Sequence, residues 1–141
     1  MELKDQVVSL DLAKALKEAG VKQESLFYWF FDAHSFKPNW YIDLRNSTYS
    51  EEKRMSAFTS AEVGEWLPMD LSLLNTTPPR GIFGFRTKKV SDGSLWRIAY
   101  YKKNPKEKNR ILHEVSDKNE AKARGQMLLY LIQQGLIQMS K

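Results

Sequence analysis

Cysteine is absent from the 141 residues. Its absence excludes a disulfide framework, a thiolate metal site and a cysteine nucleophile. Histidine is nearly as scarce. His34 and His113 are the only two, far apart in the chain and without the close spacing that pairs histidines on a metal. Long apolar runs are missing too. Leu26–Phe31 and Met127–Ile132 are the longest, and both fall far short of the roughly 18 residues that a membrane span needs. The start, Met1-Glu2-Leu3-Lys4-Asp5-Gln6, is mixed in charge and has no apolar signal-peptide core. A soluble, cytoplasmic protein is expected, with no part in a membrane. No serine sits in a G-x-S-x-G elbow, so neither nucleophilic catalysis nor a bound cofactor is expected.

Positive charge is plentiful, and it is concentrated. Between Arg80 and Arg110 lie ten basic residues and only Asp92 and Glu107 as acids, so the segment carries +8. The whole chain carries +5, which leaves −3 for everything else. A field this one-sided attracts anionic partners and speeds encounter with them. Overall composition, 42% hydrophobic and 28% charged, is ordinary for a globular protein. The length suits one domain, residues 1–141, able to bury a core without disulfides or metals.

Element signals give an α+β reading. Ser9 caps a first helix with apolar positions Leu12, Ala15, Leu16 and Ala19, and Gly20 stops it. Leu26–Phe31 reads as an aromatic strand. A loop through His34, Lys37 and Pro38 leads to a second strand at 40–44, with Trp40, Ile42 and Leu44 on one face. Residues 45–55 are polar and read as a loop. Thr59 and Glu62 form a capping box for a short central helix that ends before Pro68. Residues 69–79 read as a connection pinned by its leucines. Asp117 with Glu120 gives a second capping box, opening a C-terminal helix closed by Gly135 with Leu136 packing back. With a further strand at 110–115, the sum is a mostly antiparallel sheet of about five strands, with N-terminal, central and C-terminal helices packed on it.

The sharpest local signal is a hairpin. Runs 81–90 and 94–103 flank Ser91-Asp92-Gly93, and Asp-Gly favours the positive-φ turn that suits a hairpin's twist. With Asp92 and Gly93 as the loop, Phe83, Phe85, Trp96, Ile98 and Tyr100 share one face. Arg86, Lys88, Arg97, Tyr101 and Lys103 share the other. The first is a core face. The second is the candidate partner-binding face: cations for phosphates or carboxylates, with one ring among them. The same pattern also suits a solvated face that keeps the sheet soluble and discourages edge pairing.

Other candidates are weaker. His113 alternates with Ile111 and Val115 on an apolar strand face, which suits a core or edge residue better than a base. Glu62 and Glu65 lie three apart on the short helix, but the first is taken by capping. Gly81 and Gly84 mark a bulge or a close backbone approach rather than a phosphate loop. Met127, Leu128, Tyr130, Leu131 and Ile132 nearly encircle the last helix, which suits packing across the sheet or, alternatively, an interface.

Three segments carry a resemblance. They are Leu12–Lys17 with Val21–Trp29, then Ala57–Pro68, then Asn119–Arg124 running into Met127–Ile132. In that order they resemble a group of small, uncharacterised proteins encoded by bacterial prophages and other mobile elements, over about half the chain. The resemblance brings no active-site motif, and the basic hairpin lies outside it. With the charge asymmetry, it implies a non-enzymatic binding protein that acts on a host protein or nucleoprotein complex. An inhibitor of a host defence nuclease, of the anti-CRISPR type, is the concrete form such elements suggest. The alternative is a direct nucleic-acid binder using residues 80–110.

Overall fold

The computed structural model describes residues 2–32, 39–44, 54–72, 81–90, 92–103 and 111–139. His34 and its loop, residues 45–53, the leucines at 73 and 74, and the basic residues at 80, 106, 108 and 110 lie outside them.

Three α-helices and seven strands occupy the described residues: α1 (Leu10–Glu18), β1 (Phe27–Asp32), β2 (Asn39–Leu44), β3 (Arg54–Ser56), α2 (Ser60–Trp66), β4 (Asp70–Ser72), β5 (Ile82–Lys89), β6 (Trp96–Lys102), β7 (Ile111–Asp117) and α3 (Glu120–Gln133). The fold is α+β. Its strands form two antiparallel sheets, ordered β2-β1-β3 and β4-β5-β6-β7. Five strands match the sequence expectation, and β3 and β4 add two more. Arg54 and Met55 therefore belong to a strand and not to the expected polar loop. Met55 pairs with Trp29 and is buried. Likewise 70–72 is strand, with Leu71 opposite Phe83 in the core.

Helix ends follow local chemistry. Ser9 Oγ accepts a hydrogen bond from the Leu12 amide at 3.4 Å, which caps α1. At its far end the amides of Gly20 and Val21 donate to the carbonyls of Lys17 and Leu16, closing a Schellman motif around Gly20 at φ 92°. Gly135, at φ 70°, repeats the device on α3, with Leu136 donating to Leu131. Thr59 and Glu62 form the reciprocal capping box on α2. The start of α3 differs from expectation. Asn119, not Asp117, is its cap, accepting from the Lys122 amide at 3.1 Å. Asp117 instead accepts from the Asn119 amide and so holds the cap in place.

The core lies between the helices and one face of the four-stranded sheet. Phe83, Ile98 and Tyr100 from the sheet meet Leu12, Leu16, Val63, Met127, Leu128 and Leu131 from the helices. In α1 the buried face is Leu12, Ala13 and Leu16, so Ala13 takes the place expected of Ala15 and Ala19. Helix α3 packs on α1, α2, β6 and β7, which accounts for its broad apolar circumference. Gly125 makes the α1 contact possible: a Cβ there would sit 2.8 Å from Leu12 Cδ2 and 3.0 Å from Val8 Cγ1.

Candidate partner-binding face

The β5–β6 hairpin has the register that Asp92 and Gly93 predict. Lys88 pairs with Arg97, Arg86 with Ala99, Phe85 with Tyr100 and Gly84 with Tyr101. The turn is locally held. Gly93 takes φ 75° and donates to the Val90 carbonyl, while Asp92 accepts from both the amide and the hydroxyl of Ser94. Those two hydrogen bonds hold the Asp92 carboxyl below the usual carboxylate range.

Register then sorts the side chains. Phe83, Ile98 and Tyr100 are buried, with Phe85 and Trp96 packed against the same core. The opposite face points away from the helices and can be read rung by rung across β4, β5, β6 and β7. One end rung holds Lys88, Arg97 and Ser116. Next come Arg86, Ala99 and Glu114. Asp70, Gly84, Tyr101 and Ile111 form the third. Ser72 and Ile82 follow, with the Lys103 amide donating to the Ile82 carbonyl.

All five sequence-predicted residues therefore share this face. Two of the four cations are paired with carboxylates that the hairpin itself does not contain. Arg97 Nε lies 3.2 Å from Glu114 Oε1, and Lys103 Nζ lies 2.6 Å from Asp70 Oδ1. Both pairs are solvent-exposed, so each is worth only about 0–1 kcal/mol and can exchange for another anion. Arg86 rests its guanidinium 5.3 Å from the centre of the Tyr101 ring. With four cations and two carboxylates, the face keeps a net +2. At its centre is the small, buried Ala99. An open hollow of about 590 Å³ lies there, walled by Arg86, Lys88, Arg97 and Tyr101.

Asp70, Glu114, Ile82 and Ile111 complete the face and were not singled out from the sequence. Ile111 reaches it through an irregularity. The pairing shifts between Tyr100 and Tyr101, so His113 stays opposite Tyr100 while Ile111 comes opposite Tyr101. The expected Ile111–His113–Val115 alternation is thus broken at residue 112. His113 lies on the core side, as its alternation with Val115 suggests, its ring stacked on Tyr130 at 3.6 Å between centroids and 5° between planes. Partial burial lowers its pKa.

Glu62 and Gly84 have structural roles. Glu62 Oε1 accepts from the Thr59 amide and hydroxyl, and Oε2 accepts from the Leu26 amide. Its carboxylate is committed to joining α2 to the start of β1. Gly84 lies beneath the Lys103 side chain, so what approaches it is a side chain and not the bulge or backbone expected. Among the described residues, no group of three or more His, Asp or Glu side chains is placed to hold a metal, and no helix is long and apolar enough to cross a membrane. What the face can do chemically is hold anions.

No family model matches the chain, and neither a curated protein nor a solved structure matches it.

Proposed function

We propose that this chain is a non-enzymatic binding protein that occupies an anionic surface of a host protein or nucleoprotein complex, using the outward face of β5 and β6. The observation that carries this reading is the collection of Arg86, Lys88, Arg97 and Lys103 on one solvent-facing surface against two exchangeable carboxylates. Complementary charge of this kind sets partner choice and association rate more than raw affinity. The resemblance to prophage and mobile-element proteins supports a host defence nuclease as the target class, with the chain acting as an inhibitor of the anti-CRISPR type.

Direct binding of nucleic acid is the second reading, supported by three cations gathered around one hollow beside Tyr101. Two features weigh against it. Arg86 already covers the ring that would stack a base. Asp70 and Glu114 stand on the two edge strands, where a polyanion crossing the sheet would meet them.

Fluorescence anisotropy with random single- and double-stranded oligonucleotides at two salt concentrations separates the readings. Dissociation constants weaker than about 10⁻⁴ M, outside the usual non-specific range, are expected. Micromolar binding that disappears with salt, and with all four cations changed to glutamine, would replace the first reading with the second.

A further inference from the structure

The outward face is divided along its strands. Arg86, Lys88 and Arg97 fill one half. Ile82, Tyr101 and Ile111 lie in the other, beside the exchangeable Asp70–Lys103 ion pair, and the two isoleucines are 44% and 43% exposed. They flank Tyr101 from the neighbouring strands, Ile111 directly opposite it and Ile82 on the next rung. Arg86, stacked over Tyr101, is the junction between the halves. β-branched apolar side chains left partly exposed beside a cation cluster are not needed for solubility and add nothing to phosphate binding. They suit a partner that buries apolar surface and carries negative charge next to it.

We propose that this face binds an extended acidic–apolar protein segment. Its carboxylates would meet Lys88, Arg97 and Arg86, and its apolar side chains would cover Ile82, Tyr101 and Ile111. The inference rests on the binding-protein reading above and specifies the partner's chemistry. Residues on one face of a strand recur about every 6.8 Å, so four rungs extend over about 20 Å, the length of six or seven extended residues. A segment running along β5 and β6 at that width passes between Asp70 and Glu114. Its acids compete with Glu114 for Arg97, and that exposed pair offers little resistance. A nucleic-acid strand would supply the charge and leave both isoleucines in water.

Two synthetic peptides test this against the full chain. One carries alternating acids followed by two leucines. The other has the same charge and length, with serines in place of the leucines. A poly-dT oligonucleotide of equal charge is the third probe, and amide shifts of the isotope-labelled protein report affinity and location. The leucine peptide is expected to bind about tenfold more tightly than the serine peptide. The double variant Ile82→Ser, Ile111→Ser should abolish that difference, while Lys88→Gln, Arg97→Gln should weaken both peptides. Melting curves establish that each variant is folded. Equal binding of the two peptides, or tighter binding of the oligonucleotide, would overturn the proposal. If such binding still depends on Lys88 and Arg97, the broader basic-face reading survives. Binding indifferent to those cations, or absent at low salt, removes both.

Discussion

Lys103 crosses over Gly84 to bring its Nζ within 2.6 Å of Asp70 Oδ1, and a Cβ at position 84 would lie 3.0 Å from the lysine's Cε. A glycine in mid-strand costs stability relative to alanine, and here it clears the path for an ion pair across the face. With the Arg97–Glu114 pair, this bridge keeps the face from being uniformly cationic.

Removing the two acids should therefore sharpen binding. Asp70→Asn with Glu114→Gln raises the face from +2 to +4, given the four cations and two carboxylates it carries. Affinity for an anionic partner should rise about fivefold at low ionic strength, with a steeper salt dependence. Because both pairs are exposed, unfolding free energy should move by less than about 0.5 kcal/mol. Isothermal titration at two salt concentrations, beside urea melts, checks both halves. Weaker binding would mean that these acids contribute to the contact, and unchanged binding that the partner does not meet this face.

Gly125→Ala probes the packing of α1 on α3. Helix propensity favours alanine by about 1 kcal/mol. The new methyl, however, would press on Leu12 and Val8 inside the core, and overpacking of that kind costs about 1–3 kcal/mol. A net loss of about 1 kcal/mol is expected from denaturant unfolding. A gain would show that the two helices can separate at little cost.

Tyr100→Phe tests a buried polar link. The Tyr100 hydroxyl donates to the Pro68 carbonyl at 2.7 Å and ties β6 to the end of α2. Burial drives its pKa far above the ordinary phenol value, so the hydroxyl remains a donor through the alkaline range. Losing the bond leaves the carbonyl without this donor, and a loss of about 1–2 kcal/mol is expected in urea unfolding.

Much of this fold was legible because the determining chemistry is local. The Thr59–Glu62 box, the glycine stops at 20 and 135, and the Asp92-Gly93 turn each act within a few residues. The turn in particular transmits its register to every rung of β5 and β6. What stayed hidden depends on distant partners. Strands β3 and β4 are three residues each, too short for a visible alternation, and exist because β1 and β5 offer them edges. The cap at Asn119 was masked by Asp117, whose spacing to Glu120 imitates a capping box. At the candidate face, Arg86, Lys88, Arg97, Tyr101 and Lys103 were legible from the hairpin alone. Their acidic neighbours were not, because Asp70 and Glu114 arrive on β4 and β7, whose registers no local turn dictates. The pairing shift beside Tyr101 likewise moved Ile111 out of line with His113, against a simple period of two.

Acid should weaken the seam between β7 and α3. His113, stacked on Tyr130, has a folded pKa below its ordinary 6.5. The unfolded chain therefore binds this proton first. The resulting stability is fully present above about pH 6.5 and is lost as pH falls toward and through the lower folded value. Melting temperature should decline across that window. His113→Phe, which keeps an aromatic ring against Tyr130, should flatten the decline. An unchanged slope in the variant would assign the acid sensitivity to other groups.

The most direct test of the basic face as the functional contact is affinity capture from nuclease-treated host lysate. The wild-type chain is compared with a folded variant carrying Arg86→Gln, Lys88→Gln, Arg97→Gln and Lys103→Gln, and bound proteins are quantified by mass spectrometry. One host protein or complex, retained by the wild type at low salt and reduced at least about tenfold in the variant, is the expected result. Equal retention by the two chains would contradict the assignment and place the contact elsewhere on the molecule.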